Sequence, residues 1–320
     1  MSKKETYLLP KEKRILDILD EMSQLIKKKE THPKSVQDIH KLEKDLDRVK
    51  KQVYSNLIPW ERVLLARHPN RPRSSDYIHA LAAPFLPLSG DRLFQDDPAL
   101  LAGFASIQGT RCLLLGQEKG RDAKSRSFHN FGMLHPEGFR KARRLMKLAE
   151  KFSLPVVTLI DTPGAYSGLE AEERGQAWAI AENLFEMSQL KTPLISIIIG
   201  EGSSGGALGI AAGDATAILE HAYYSVISPE GCASILYRDV AAKEIAAGSL
   251  KLHGEDLIKQ GIVDTIIEEP LGGAHHNPAQ AFQGVQDFIL AKINELRQLP
   301  IEALLEKRYQ KYRDIGCFQT

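Results

Sequence analysis

The segment LISIIIGEGSSGGALGIAAGD, residues 194–214, joins a continuous apolar run to a cluster of glycines and serines and then to a run of small residues. That order predicts a buried strand, a tight turn and a helix starting near Gly205-Gly206. Unbonded N–H groups at a helix start carry partial positive charge, and glycine lets an oxygen approach them with no Cβ in the way. The chemistry on offer is stabilisation of an enolate or another oxyanion. The same small residues also suit tight packing of a helix on a sheet.

VVTLIDTPGAYSG, residues 156–168, is built alike. A strand delivers Asp161, Thr162, Pro163 and Gly164 into a loop, and Glu170 to Arg174 opens the next helix. The two strand-loop-helix units are expected side by side in a parallel sheet, lining one cleft with Ser203 and Ser204. A third loop, VISPEGCASIL at 226–236, presents Ser228, Glu230 and Gly231, although Ser228-Pro229 equally suits a helix cap. Lys119, Arg121 and Lys124 occupy a loop where they are expected to meet a phosphate, a carboxylated cofactor or an acidic carrier protein.

Rival chemistries are tested by what they require. A P-loop needs Lys-[Ser/Thr] after its glycines, but Gly206-Ala207 stands there. DTPG is reminiscent of a GTPase switch, yet no Asn-Lys-x-Asp base reader occurs. Gly202-Ser203-Ser204-Gly205-Gly206 satisfies G-x-S-x-G, placing Ser204 at a nucleophile elbow, and Asp239 or Asp264 followed by His275 supplies the order of a triad. A serine hydrolase or thioesterase therefore stays open, as does a non-catalytic binding subunit. His275-His276 has no metal-ligand spacing.

Positioning these groups takes an α/β fold. Strands are expected at 104–108, 112–116, 156–161, 194–200, 216–219 and 223–227, and helices at 136–152 and 170–190. Residues 67–73 read as an irregular basic segment. Before them, Ile15, Leu19, Met22 and Ile26, then Val36, Ile39, Leu42, Leu46, Val49 and Val53, mark two amphipathic helices broken near His32-Pro33. Residues 279–312 are helical again, with Phe282, Val285, Phe288, Ile289, Ile293 and Leu296 on one face.

With 320 residues the chain suits about two domains. Lys+Arg 42 against Asp+Glu 41 argues against a nucleic-acid partner. Three cysteines, Cys112, Cys232 and Cys317, without a CxxC pair exclude a disulfide framework or a cysteine zinc site and fit a reducing cytoplasm. The longest apolar run is too short to span a membrane, and the N-terminus lacks a signal-peptide core.

PWERVLLARHPNRP, GQEKGRD, NFGMLHPEGFRKARRLMKLAEKF, LIDTPGAY, GEGSSGGA, YSVISPEGCASIL and EPLGGAHHNP occur in that order between Leu57 and Pro278. Together they resemble the carboxyltransferase α subunits of bacterial-type, multi-subunit acetyl-CoA carboxylase. Ser203, His129 and Leu134 depart from that pattern, where glycine, arginine and proline are expected. The resemblance implies a crotonase-like fold of stacked ββα units over residues 57–290, with an N-terminal helical extension at 1–56 and a C-terminal helical tail at 291–320. It implies transfer of a carboxyl group from carboxybiotin, carried on a separate biotin carboxyl carrier protein, to acetyl-CoA, giving malonyl-CoA in the first committed step of fatty acid biosynthesis. The backbone N–H groups of Gly205 and Gly206 are then the oxyanion hole for the biotin enolate, and Gly206→Val is expected nearly to abolish transfer while leaving assembly intact. A zinc-ribbon β subunit in an α2β2 assembly and biotin carboxylase are the implied partners, with no metal in this chain.

Overall fold

The structure, a computed structural model, describes residues 9–28 and 35–316. The break expected at His32-Pro33, the side chain of Val36 and Cys317 lie outside the described residues.

The charged N-terminal segments form α1 (Lys13–Lys28) and α2 (Ser35–Tyr54), which pack on each other. Ile15, Ile18, Leu46 and Tyr54 share a small apolar cluster with Leu65 of α3 (Pro59–Ala66). The buried seam of α1 is rotated from the expected one, because Ile18 is fully buried while Leu19 and Ile26 are exposed. Ile15, Ile18 and Met22 are also spaced by three and four, and packing against Leu9 and α2 selects them.

After α4 (Ser74–Leu81) comes a sheet of eight strands: β1 (Phe85–Pro87), β2 (Leu100–Ile107), β3 (Thr110–Gln117), β4 (Val156–Thr162), β5 (Leu194–Ser203), β6 (Ala215–Leu219), β7 (Tyr223–Ser225) and β8 (Thr265–Ile267). Their order is β1-β2-β3-β4-β5-β6-β8, with β7 pairing the far end of β5. The first three are antiparallel neighbours and the remaining pairs are parallel. β4, β5 and β6 are buried along their whole length, as parallel strands covered on both faces are.

The remaining helices are α5 (Ala123–Phe128), α6 (Pro136–Lys151), α7 (Leu169–Glu173), α8 (Gln176–Gln189), α9 (Ser204–Ala211), α10 (Pro229–Leu236), α11 (Lys243–Leu250), α12 (Gly254–Lys259), α13 (Pro278–Leu296) and α14 (Ile301–Arg313). The single helix expected over 170–190 is two, because Gly175 turns the chain at φ 77 between α7 and α8. α13 runs across residue 290 and lays Val285, Phe288, Ile289, Ile293 and Leu296 into the main core. Pro300 separates it from α14. There Arg308 is buried, pairing with Asp214 and donating to the carbonyls of Met187, Leu190 and Thr192. It ties the last helix to the end of α8 and to the turns that lead into β5 and β6. Among the described residues, no helix is long and apolar enough to cross a membrane.

Candidate active site

β5 turns into α9 at Ser203-Ser204. Ser203 is buried, Ser204 is exposed with φ 55, and Gly205 is half-buried. The first N–H groups of a helix have no intrahelical partner, and among the described residues no side chain caps those of α9. Gly206 presses against the neighbouring loop: a Cβ there would lie 2.1 Å from the Gly164 carbonyl carbon and 2.3 Å from Ala165 N. At Gly205 a Cβ would meet only Ile180, at 3.4 Å.

The loops meet because β4 and β5 are parallel neighbours, paired from Val156↔Leu194 to Thr162↔Gly202. Thr162 Oγ1 donates to Gly164 O at 2.6 Å and accepts the Gly164 N–H at 3.1 Å, closing the turn. Gln117, fully buried at the end of β3, joins both loops. Its Nε2 donates to Gly206 O at 2.7 Å, and its Oε1 accepts the Asp161 N–H at 3.2 Å.

Beside this junction runs a chain of ion pairs. Lys119 Nζ lies 2.7 Å from Asp161 Oδ1 and 2.5 Å from Glu201 Oε1. Arg67 Nε donates to Glu201 Oε2 at 2.7 Å and its Nη1 to Glu230 Oε1 at 2.6 Å. The Tyr223 hydroxyl adds a 2.5 Å bond to Glu201 Oε2. Burial pushes the Glu201 carboxyl up, but Lys119 and Arg67 overcome it and hold it at about 2. For Asp161 burial wins, and its pKa is raised in spite of Lys119.

The expected single cleft is two cavities. Asp161, Pro163, Lys119 and Glu201 line a charged cleft of about 240 Å³. Ser204 and Gly205 line an apolar pocket of about 340 Å³, walled by Leu208, Tyr224, Leu257 and Ile262. On the charged side, Asp161 and Glu201 both pair with Lys119. Asp161 is thereby occupied by Lys119 and by the Glu201 N–H at 2.9 Å.

Lys119 does not share a surface with Arg121 and Lys124. Those two are exposed, Arg121 pairing with Asp76, whereas Lys119 is held inside the network. Ser228 caps α10 by accepting the Gly231 N–H at 3.1 Å, and Glu230 pairs with Arg67. Two of the departures from the resembled pattern are absorbed, Leu134 being fully buried in the core and His129 Nδ1 bonding Pro98 O at 2.6 Å, whereas the buried Ser203 hydroxyl has no hydrogen-bond partner among the described residues.

No triad assembles around Ser204. Asp239 accepts the Ala241 N–H, and Asp264 accepts from Thr216 N and Lys311. His275 stacks on His68, ring centroids 3.7 Å apart. Ser204 has the backbone of an elbow and none of the partners among the described residues. Nor is any group of three or more His, Cys, Asp or Glu among the described residues placed to hold a metal ion.

Burial sets an acid limit on this architecture. It lowers His68, His221 and His253 to about 4, and Arg71, acting against burial, draws Glu269 down to about 2. All these folded values lie below the ordinary 6.5 and 4.5, so the unfolded chain binds the protons first. Stability is therefore present above pH 6.5, starts to fall below it, and falls more steeply from pH 4.5 towards 2. Denaturant unfolding at stepped pH is expected to show this, with a shallower acid slope in Glu269→Gln; a flat profile between pH 6.5 and 4 would contradict the neutral buried histidines.

A mixed sheet whose parallel strands end in two touching loops, one opening an uncapped helix, is the arrangement of a crotonase-like fold. The fold matches a Pseudomonas malonate decarboxylase hetero-tetramer in complex with coenzyme A at a TM-score of 0.58, with 16% identity over 72% of this chain and 90% of that one. Against transcarboxylase 12S the TM-score is 0.55, with 19% identity over 70% of this chain and 42% of that one, so the chain spans under half of the transcarboxylase polypeptide.

The sequence pattern of the "Acetyl co-enzyme A carboxylase carboxyltransferase-like" family matches residues 8–316, and this chain belongs to that family. Proteins named acetyl-coenzyme A carboxylase carboxyl transferase subunit alpha, from Chlamydia trachomatis serovar L2 and Chlamydia pneumoniae, are each 58% identical over 314 residues, 98% of this chain and 97% of theirs. The chain is an enzyme of the carboxyltransferase class. The family match extends beyond the Leu57 to Pro278 stretch that carries the motifs, into the helices on either side.

Proposed function

We propose that this chain is the α half of a biotin-dependent carboxyltransferase that makes malonyl-CoA from acetyl-CoA, taking its carboxyl group from carboxybiotin on a separate biotin carboxyl carrier protein. The carrying observation is the α9 start: Gly206 packs against Gly164-Ala165 while Gly205 opens onto the apolar pocket. A flat, weakly polar ring with one strongly accepting oxygen fits that combination of apolar wall and free N–H groups.

When bound, carboxybiotin supplies the carboxyl group and a ureido oxygen on which negative charge grows. The N–H groups of Gly205 and Gly206 are the residues that would hold that oxygen. Leu208, Leu257 and Ile262 keep water from the ring, and Gln117 and Thr162 fix the two loops that set the hole. Gly164, Ser203 and Ser204 form or brace its walls, whereas Asp161 and Pro163 line the charged cleft, Glu230 is held there by Arg67, and Ser228 and Gly231 shape the start of α10. In this reading residues 1–56 are an extension, the chemistry is carried from residue 57 onward, and the boundary expected at 290 moves to the end of α13 at Leu296, because Ile293 and Leu296 are part of the main core. The remaining partners are a zinc-ribbon β subunit in an α2β2 assembly and biotin carboxylase, the carrier touches Arg121 and Lys124, and the enzyme works in the cytoplasm.

The test is biocytin-dependent conversion of malonyl-CoA to acetyl-CoA by this chain with and without the β subunit. Activity only with both supports the split site. Activity from this chain alone would place both pockets here, and none in a properly assembled complex overturns the assignment.

A further inference from the structure

We propose that the charged cleft contains a second anion site, built on Arg73 and Arg126, that takes a dianion of the phosphate or phosphomonoester class. The site rests on this chain's own residues and not on the reaction assigned above.

Five cationic side chains line the cleft. Three are matched: Arg67 by Glu201 and Glu230, Arg71 by Glu269, and Lys119 by Asp161 and Glu201. Arg73 and Arg126 form no ion pair among the described residues. Arg73 is only 4% exposed; its Nη2 donates to Pro69 O at 2.9 Å and its Nη1 has no partner. The nearby Glu118 is occupied by the backbone N–H groups of Ser75 and Gly120.

Burial, reinforced by Arg121, lowers the pKa of Arg73, and Glu118 and Asp161 offset this only in part, leaving a guanidinium that no carboxylate pairs directly among the described residues. Such a group is costly to bury unpaired and is compensated when an anion arrives. Two unmatched charges fit one phosphate, which carries about −1.5 to −2 at pH 7, better than one carboxylate. Guanidinium forks are also suited to phosphate oxygens. Free phosphate and the terminal phosphomonoester of CoA share this chemistry.

The experiment uses the full chain, with inorganic phosphate as probe, in calorimetry and thermal unfolding. Saturable one-to-one binding that raises the melting temperature is expected. Arg73→Met should weaken it about ten- to a hundredfold. The same variant should melt higher than wild type in phosphate-free buffer, a gain that an arginine serving only to hold the fold would not give. Arg126→Met, at a half-exposed position, should weaken phosphate binding with the fold unperturbed. Absence of saturable binding, or equal binding by both variants and wild type, overturns the site. Displacement of phosphate by CoA but not by dephospho-CoA identifies the CoA phosphate as the occupant, and displacement by neither identifies free phosphate.

Discussion

Gly206→Ala is expected to slow carboxyl transfer by about 10²-fold or more, the usual loss when one oxyanion donor is displaced. Gly205→Ala should remain close to wild type. Both variants keep their N–H groups, so the contrast lies in space alone. At Gly206 the added carbon would occupy the peptide between Gly164 and Ala165, 2.1 Å from its carbonyl carbon. One of the two loops must move, and Gln117, bonded to Gly206 O and Asp161 N, resists that movement. At Gly205 the new carbon reaches ordinary contact with Ile180 at 3.4 Å.

A stability cost of about 1–3 kcal/mol should accompany the Gly206 change, as for other overpacked sites. The expectation from sequence, that valine at this position nearly abolishes transfer while assembly stays intact, is open to the same test. Turnover of both variants in the assembled complex, with sizing to verify assembly, checks the contrast. Wild-type turnover in Gly206→Ala would remove the α9 start from the reaction.

Lys119→Met is expected to cost about 3–5 kcal/mol of folding stability, the range for removing one member of a buried ion pair. Among the described residues the lysine amine is the one cation that touches both Asp161 and Glu201, and each carboxylate is at most 9% exposed on its side chain. Without it the Glu201 N–H is the one direct hydrogen bond left to the Asp161 carboxylate among the described residues, with Arg71 and Arg73 acting only from a distance, while Glu201 keeps Arg67 and Tyr223. The deficit should shrink in mild acid, because a proton on Asp161 then replaces the missing charge. Denaturant unfolding at two pH values measures both effects. A loss below about 1 kcal/mol, as for an exposed pair, would mean that water reaches this network.

The adjacency of the DTPG loop and the glycine turn is legible from sequence because each follows an unbroken apolar run, the mark of a central parallel strand. β4 and β5 differ from their expected bounds only at the carboxyl end. β1 and β8 are not legible: three residues at a sheet edge carry no usable alternation, and β1 lies among prolines. The short helices α3 and α4, flanking the basic segment at 67–73, likewise give too little periodicity.

Within the site, the glycines and Thr162 are recognisable because local backbone geometry demands them. The ion-pair chain is not. Arg67, Lys119, Glu201 and Glu230 come from four separate segments, and Arg67 meets Glu201 across 134 residues. Gln117 sits inside a recognised string, but its role depends on the positions of two loops that come later in the chain. Period-two alternation along the end of β5 offers a hint, since Glu201 and Ser203 share one face of the strand.

The Arg308 clasp imposes an order of events on synthesis. Its guanidinium is made 94 residues after the Asp214 carboxylate that it neutralises. At ordinary rates of chain elongation the interval is roughly 5 to 20 s. Throughout it, Asp214 and the carbonyls of Met187, Leu190 and Thr192 lack the partner that later covers them. The catalytic loops are thus translated well before the layer beneath them can be sealed, and a ribosome stalled short of residue 308 holds a site that has been spelled out on an unfinished floor.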